Sequence, residues 1–182
     1  MNVILTGMRG TGKSSIGSAL AARLAFRFVD TDEVIETLAG QRIADIVAEQ
    51  GWAHFRELER QAVIQCAAAD RQVIAVGGGT LMDEGNTAYL KAQGVVVLLV
   101  CELSILQRRI SGEGNRPSLT GQGSAVAELA HVWETRRERY YAVADITVDV
   151  SEETEDFMQD TVRKATQVEG LLQQYGKDII SK

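Results

Sequence analysis

A complete phosphate-binding loop near the N-terminus limits the possible folds of this chain more than any other feature. Residues 7–14 read G-M-R-G-T-G-K-S, which matches the pattern G-x-x-x-x-G-K-[ST] at every fixed position. A short apolar strand precedes the loop and an amphipathic helix follows it. The glycines let backbone N–H groups approach phosphate oxygens, and the helix N-terminus adds partial positive charge. The pattern predicts a site for nucleotide phosphates and Mg²⁺, as in switches, motors and kinases; the alternative is a plain glycine-rich turn.

Short apolar runs alternate with longer amphipathic segments along the rest of the chain. The predicted strands are Asn2–Thr6, Phe26–Val29, Gln72–Val76, Gly94–Val100 and Asp145–Val150. The predicted helices are Lys13–Leu24, Gly51–Ala69, Glu102–Ile110, Ser124–Ala142 and Glu153–Leu172. The last helix carries a predicted apolar stripe of Phe157, Thr161, Val162, Ala165, Val168 and Leu172. This alternation is typical of an α/β fold in which helices cover a parallel sheet.

The length of 182 residues fits a single domain. One stretch of low apolar content, residues 111–123, holds four glycines and the only proline. A flexible stretch of this kind inside a compact domain is often a functional lid, so we interpret it as a lid loop. Residues from about 167 to 182 are interpreted as an extra helix end or a tail.

Composition argues against several classes of protein. Lys and Arg total 19 against 25 Asp and Glu, and a net charge of −6 disfavours binding to nucleic acid. The sequence has no apolar stretch near the roughly 20 residues that a membrane span needs. Cys66 and Cys101 do not have the spacing of a metal site and are interpreted as reduced core residues. We therefore expect a soluble, cytoplasmic monomer that binds neither nucleic acid nor membranes.

Acidic residues follow the second predicted strand, where Asp30 and Asp32 flank a threonine. Ligands of parallel sheets bind outside the carboxyl ends of the strands, so these carboxylates are expected in the same crevice as the phosphate loop. An aspartate there can hold the water shell of Mg²⁺ or take the proton of a substrate hydroxyl. Helix capping explains Asp30 and Glu33 equally well, and the sequence leaves both interpretations open.

Further candidate residues lie on later elements. Glu59 follows Arg56 by three residues and could brace its guanidinium group, although a surface ion pair has the same spacing. Three glycines at 77–79 follow the third strand, where they allow a substrate to approach the backbone or only form a turn. Arg116 lies in the predicted lid and Arg136 in a basic helix, and each taken alone is explained as a solvated charge.

Taken together and in order, these elements resemble the shikimate kinase family. The matching elements are the phosphate loop, D-T-D after the second strand, F-R-x-x-E, G-G-G after the third strand, R-P in the lid and R-x-x-x-Y before the last strand. The resemblance covers about residues 1–150 and implies a three-layer P-loop fold related to the nucleoside monophosphate kinases. It implies a five-stranded parallel sheet in the order 2-3-1-4-5. The implied reaction transfers the γ-phosphoryl group of ATP to the 3-hydroxyl of shikimate, in chorismate and aromatic amino-acid biosynthesis.

The resemblance also implies a role for each matching residue. The implied catalytic residues are Asp32 as the base, with Lys13 and Arg116 on the phosphates. The implied ATP-binding residues are Gly10, Thr11, Gly12, Lys13, Ser14, Ser15, Arg109 and Arg116. The implied shikimate-binding residues are Asp32, Arg56, Gly78, Gly79 and Arg136, of which the two arginines take the carboxylate. The implied Mg²⁺ ligands are Ser14, directly, and Asp30, through water.

One stretch departs from the family pattern, and other functions make distinct demands on the sequence. Residues 151–153 read S-E-E where the family often has a basic residue near the adenine. A gluconate kinase or a nucleoside monophosphate kinase would need different acceptor-site residues. A nucleotide-dependent switch that reads guanine would carry an N-K-x-D segment, and the sequence has none.

The phosphate loop generates a direct test. We expect Lys13→Ala to lower the turnover of phosphoryl transfer by about 100-fold or more, because one preorganised charge on the phosphates is lost. Steady-state turnover of the purified variant measures this, and circular dichroism confirms that the variant is folded. A folded variant with near-normal turnover would contradict the phosphate-loop assignment.

Overall fold

Five parallel strands form the centre of the computed structural model, which describes residues 1–111 and 125–176 of the chain, with side chains from 128 onward in the second range. The strands are β1 (Asn2–Gly7), β2 (Arg27–Asp30), β3 (Gln72–Ala75), β4 (Gly94–Val100) and β5 (Ile146–Asp149). Their order across the sheet is β2-β3-β1-β4-β5, and every neighbouring pair is parallel. The predicted fold class and strand order are therefore confirmed, and each predicted strand overlaps the observed one.

Seven helices are described around this sheet. They are α1 (Lys13–Leu24), α2 (Thr31–Ala39), α3 (Ile43–Ala67), α4 (Glu84–Gln93), α5 (Leu103–Ser111), α6 (Ala125–Val143) and α7 (Phe157–Gln174). A short 3₁₀ turn, Thr80–Met82, follows β3. Helices α1 and α7 cover one face of the sheet, and α3, α4 and α6 cover the other.

The side chains of β1 alternate between the two faces and fill both halves of the core. Val3 and Leu5 pack with side chains of α1 and α7, whereas Ile4 packs with side chains of α3 and α4. All three residues are fully buried. Burial on both faces explains why the central strands are continuous apolar runs rather than alternating ones.

The structure corrects the helix predictions in several places. Helices α2 and α4 were not among the predicted helices, and α3 begins at Ile43 rather than at Gly51. Gly51 instead interrupts α3, with φ 80 and ψ 171 between two helical segments. A left-handed φ of this kind is accessible to glycine at little cost, so the kink falls where the sequence permits it.

The predicted apolar stripe of α7 is wrong for two of its residues. Phe157 is 67% exposed and Val162 is 45% exposed. Thr161, Val168 and Leu172 are buried as expected. Phe157 is the first residue of α7, and Val162 lies beside the buried stripe rather than on it. Helical periodicity alone does not show where a helix extends past the sheet.

Parts of the predicted lid and tail lie outside the described residues. Of the predicted lid, residues 111–123, only Ser111 is described, as the last residue of α5. Helix α7 continues to Gln174, so residues 167–174 extend that helix. Within the described ranges, no helix combines the length and apolar character needed to cross a membrane.

The close pairing of β1 and β4 predicts that adding one methyl group at Gly94 will strongly destabilise the fold. A Cβ atom on Gly94 would lie 2.2 Å from the carbonyl oxygen of Asn2 and 2.6 Å from Ile4 Cδ1. Because backbone cannot easily yield, we expect Gly94→Ala to lower the free energy of unfolding by about 2–3 kcal/mol. Urea denaturation measures this difference.

A matched glycine in α7 provides the control. Nothing lies within 4 Å of a Cβ atom built on Gly170. Gly170→Ala should therefore raise the free energy of unfolding by about 0.5–1 kcal/mol, the usual effect within a helix. Equal effects of the two substitutions would contradict the packing described here.

Candidate functional site

The phosphate loop connects β1 to α1 and has the shape that its glycines predict. Gly10 and Gly12 adopt positive φ of 82 and 88, and Gly12 is the N-cap of α1. The Lys13 ammonium group donates to the carbonyl oxygens of Gly7 and Met8, at 3.0 Å each. The lysine therefore lies against the loop, within reach of any phosphate bound there.

Three hydroxyl residues of this region differ in accessibility. Thr11 is 1% exposed, and its hydroxyl donates to the carbonyl oxygen of Met8 at 2.9 Å. Ser14 and Ser15 are exposed in the first turn of α1. The Thr11 side chain therefore maintains the shape of the loop, whereas the two serine hydroxyls are open to a ligand.

The structure confirms the capping interpretation of Asp30 and also places its carboxylate beside Ser14. Its Oδ1 accepts a hydrogen bond from the backbone N–H of Asp32 at 3.0 Å, as the N-cap of α2. Its Oδ2 accepts a hydrogen bond from the Ser14 hydroxyl at 2.7 Å. One carboxylate thus caps a helix and meets the end of the phosphate loop.

The donor set at this position suits a hard divalent cation. A serine hydroxyl and a carboxylate are the oxygen ligands that Mg²⁺ prefers, and Mg²⁺ usually completes its shell with phosphate oxygens and water. Across residues 1–111 and 125–176, no cluster of three or more His, Cys, Asp or Glu side chains could hold a metal alone. Ser14 and Asp30 therefore fit a metal that arrives with a nucleotide.

Arg56 on α3 is held in place from several sides. Its Nη1 donates to Glu59 Oε2 at 2.6 Å, and Glu59 Oε1 accepts from the Thr80 hydroxyl at 2.7 Å. The guanidinium carbon lies 5.7 Å from the ring centre of Trp52 and 5.1 Å from that of Phe55. The Glu59 side chain is only 2% exposed. A simple surface ion pair is therefore the wrong interpretation of this couple, because its acidic partner is buried.

Arg136 on α6 reaches the glycine turn that follows β3 (residues 77–79, the glycine turn below). Its Nη1 donates to the carbonyl oxygen of Gly78 at 3.1 Å, and the Tyr140 hydroxyl donates to the same oxygen. Burial raises the pKa of the Tyr140 hydroxyl, and Arg136 opposes this only in part. The phenol thus keeps its proton and its role as donor. Trp133 stacks on Tyr140 with ring centres 6.3 Å apart.

Three predicted site residues converge on the glycine turn. Cβ atoms built on its first, second and third glycines would lie 3.2 Å from Asp32 Oδ1, 3.8 Å from Arg136 Nη1 and 2.8 Å from Arg56 Nη2. A side chain at the third glycine would displace Arg56 and one at the first would crowd Asp32, whereas the distance to Arg136 is an ordinary van der Waals contact. The carboxylate and the two guanidinium groups come from different helices and lie around one turn.

One crevice of about 1130 Å³ connects the two groups of residues. The phosphate loop and Arg109 line one part of it, and the glycine turn lines another. Arg109 Nη1 donates to the carbonyl oxygen of Gly10 at 2.8 Å. Arg116, predicted on the lid, lies outside the described residues.

Several lining residues were missed by the sequence analysis. They include Trp52, Glu128, Asp160 and Lys164. Trp52 precedes Arg56 by one helical turn, and that spacing could have indicated it. Asp160 and Lys164 form a buried ion pair at 2.5 Å on α7, where a side-chain spacing of four residues is the only signal.

Glu153, the last residue of the S-E-E stretch noted in the sequence analysis, pairs with two arginines. Glu153 Oε1 accepts from Arg109 Nε at 3.0 Å, and its Oε2 accepts from Arg108 Nη2 at 2.5 Å. Desolvation raises the pKa of the Glu153 carboxyl, but hydrogen bonds and attraction from both arginines outweigh it and lower that pKa. Glu153 is therefore ionised at neutral pH, and its stability contribution disappears only as pH falls through this lowered pKa.

Comparison with known proteins gives one consistent result. A model of the family described as "Shikimate kinase" matches residues 9–166. The shikimate kinase of Caldanaerobacter subterraneus subsp. tengcongensis is 36% identical over 172 residues, covering 93% of this chain and 98% of the relative. That of Synechococcus elongatus is 40% identical over 161 residues, covering 87% and 83%.

A solved structure agrees with these sequence matches. Shikimate kinase from Acinetobacter baumannii, in complex with shikimate, superimposes with a TM-score of 0.84 at 29% identity. The superposition covers 95% of this chain and 93% of that one.

Proposed function

The chain belongs to the shikimate kinase family, and from this premise we propose that its crevice is the site where shikimate meets ATP. The protein is an ATP-dependent kinase that transfers the γ-phosphoryl group of ATP to the 3-hydroxyl of shikimate, in aromatic biosynthesis. The observation that carries the site assignment is the convergence of Asp32, Arg56 and Arg136 on the glycine turn, in one crevice with the phosphate loop.

The phosphate loop is the proposed ATP-binding end of the crevice. Backbone N–H groups of Gly10 to Ser15 and the N-terminus of α1 attract the phosphates, and Lys13 adds a full positive charge. Phosphoryl transfer depends mainly on positioning and on charge neutralisation. Arg109 lies at the same end, and Arg116 is the proposed second cation from the lid.

Mg²⁺ is the proposed cofactor, with Ser14 and Asp30 as the residues that hold it. Their oxygens lie 2.7 Å apart at the end of the phosphate loop, which supports this assignment. When bound, Mg²⁺ neutralises charge on the phosphate oxygens. The protein's own part is to keep the Ser14 hydroxyl and the Asp30 carboxylate at the loop.

The other end of the crevice suits a polyhydroxy carboxylate. Arg56 and Arg136 each present a planar guanidinium group, which can bind a carboxylate through two parallel hydrogen bonds. Arg56 keeps 34% of its side chain exposed while Glu59 fixes one of its nitrogens. Arg56 is therefore oriented by the protein yet still accessible to substrate.

Asp32 is the proposed general base. Its Oδ1 lies near the first residue of the glycine turn, on the same side of the crevice as the substrate arginines. A carboxylate in this position can accept a hydrogen bond from a substrate hydroxyl and take its proton as the γ-phosphoryl group is transferred. The proton leaves the hydroxyl oxygen as that oxygen forms its bond to phosphorus.

We also propose that the enzyme acts as a cytoplasmic monomer. The described residues of one chain supply both the phosphate-loop lining and the glycine-turn lining of the crevice. Sedimentation of the purified enzyme with ATP and shikimate tests the monomeric state.

The paired arginines predict a selective loss of shikimate binding in one variant. Arg136→Lys replaces a planar fork with a point donor, so shikimate binding should weaken by about 2 kcal/mol or more if the contact is desolvated. ATP affinity should hardly change, because Arg136 donates its hydrogen bond to the carbonyl oxygen of Gly78 in the glycine turn and not to the phosphate loop. Separate calorimetric titrations with each ligand measure both affinities.

The next residue on α6 supplies the control. Arg137 forms an exposed ion pair with Glu134 at 3.3 Å, so Arg137→Lys should leave both affinities unchanged. Equal losses for both ligands in Arg136→Lys would indicate a collapsed site. Unchanged shikimate affinity would show that Arg136 does not bind the carboxylate.

The double role of Asp30 can be separated by one substitution. Asparagine caps helices as well as aspartate does, so Asp30→Asn should leave the unfolding midpoint nearly unchanged. The loss of charge beside Ser14 should lower turnover by at least about tenfold and raise the Mg²⁺ concentration required. Turnover over a Mg²⁺ titration gives the result.

Asp83 offers a matched cap outside the crevice. Its side chain accepts from the backbone N–H of Asn86 at 2.8 Å as the N-cap of α4. Asp83→Asn should change neither stability nor Mg²⁺ dependence. If Asp30→Asn behaves in the same way, Asp30 is a helix cap and not a metal residue.

A further inference from the structure

We propose that Glu153 is a positioning residue for ATP: it orients Arg109, and Arg109 in turn holds the phosphate loop through Gly10. The proposal rests on the nucleotide site proposed above and adds a residue from the segment between β5 and α7.

The guanidinium group of Arg109 bridges two separate acceptors. Its Nε donates to Glu153 Oε1 at 3.0 Å, and its Nη2 forms an ion pair with the same oxygen at 2.9 Å. Its Nη1 donates to the carbonyl oxygen of Gly10 at 2.8 Å. The guanidinium group is planar and rigid, so fixing one edge on a carboxylate fixes the direction of the remaining nitrogen. Glu153 thereby aims Arg109 at the loop.

The carbonyl of Gly10 is a sensitive point of the phosphate loop. The Gly10–Thr11 peptide is planar, so holding its carbonyl oxygen also fixes the plane of the Thr11 N–H. On the other side, the Thr11 hydroxyl donates to the carbonyl oxygen of Met8 at 2.9 Å. The peptide is therefore held from both sides, directly before the amides that begin α1.

Packing supports the same link between α5 and the loop. A Cβ atom built on Gly10 would lie 3.3 Å from Ile110 Cγ1 and 3.5 Å from Leu106 Cδ2. Helix α5 thus contacts the loop at Gly10 with apolar side chains and with Arg109. Glu153 connects this contact to the end of the sheet.

Arg108 shows what an ordinary surface pair at the same carboxylate looks like. Its Nη2 donates to Glu153 Oε2, but its side chain is 69% exposed, and among the described residues its hydrogen bond and ion pair are with Glu153 and not with the phosphate loop. The Arg109 side chain is 24% exposed. The two neighbouring arginines therefore share a partner and differ in whether they reach Gly10.

The test uses steady-state kinetics of the full chain with both substrates varied. We expect Glu153→Gln to raise KM for ATP about five- to tenfold, as expected when a charge-assisted hydrogen bond is weakened, and to leave KM for shikimate unchanged. A merely structural role would lower the unfolding midpoint or raise both KM values. An unchanged KM for ATP would overturn the proposal.

A lower KM for ATP in Glu153→Gln would also overturn it. That result would mean that Glu153 competes with the nucleotide for Arg109 instead of positioning it. Glu152→Gln is the matched control, because Glu152 has an 80% exposed side chain and pairs with Arg163. It should leave both KM values unchanged.

Double-mutant cycles identify the residue through which Glu153 acts. If it acts through Arg109, Arg109→Gln should also raise KM for ATP, and combining it with Glu153→Gln should add little. Arg108→Gln should have little effect alone, and its effect should add to that of Glu153→Gln. Equal coupling to both arginines would overturn the link to Gly10.

Two safeguards keep the test decisive. If Glu153→Gln does not fold, Arg109→Lys tests the same link, because an ammonium group cannot bridge the two acceptors in one plane. In that variant an unchanged KM for ATP overturns the proposal. Wild-type chain that fails to phosphorylate shikimate would refute the proposed function, whereas active wild type with unaffected variants refutes only the role of Glu153.

Discussion

Parallel pairing on both sides of β1 brings the whole site together. Because β1 pairs in parallel with β3 and β4, and β3 with β2, the carboxyl ends of these strands lie along one edge of the sheet. The phosphate loop follows β1, Asp30 ends β2, and the glycine turn comes shortly after β3. The phosphate loop and the glycine turn, about 70 positions apart in the sequence, thus become neighbours at one edge of the sheet. Helices α3 and α6 then add the guanidinium groups of Arg56 and Arg136 beside this edge.

The sequence predicted the sheet well because its physical signal is strong. A strand buried on both faces is apolar at most of its positions, and few other elements of that length are. Helices gave a weaker signal. Helix α4 is rich in polar residues and so lacks a clear apolar stripe. Helix α2 is short, and its N-cap Asp30 is a residue type that is also common in turns. The exposure of Phe157 was not predictable, since helical periodicity carries no information about where a helix leaves the sheet.

The sequence predicted most of the residues of the candidate site but not the contacts that those residues make. Sequence spacing indicated Asp30 and Arg56 as candidates. It could not decide whether Asp30 caps a helix or binds a ligand, or whether Glu59 braces Arg56 in a binding site or forms a surface ion pair with it. The structure shows that Asp30 caps α2 and that the other oxygen of its carboxylate accepts a hydrogen bond from Ser14, a contact that spacing could not indicate. No sequence motif indicated the buried ion pair of Asp160 and Lys164. Such contacts depend on the packing of distant elements, which no local pattern records.

The two tryptophans of the chain can report by fluorescence on the end of the crevice near the glycine turn, where shikimate is proposed to bind. Trp52 lies 5.7 Å from the Arg56 guanidinium carbon, on one arginine-bearing helix. Trp133 stacks on Tyr140, which shares the Gly78 carbonyl with Arg136, on the other. Each indole is therefore an intrinsic fluorophore attached to one arm of the site. In a variant that lacks one tryptophan, the remaining fluorescence would come from the other, and so would report on only one of the two arginine-bearing helices.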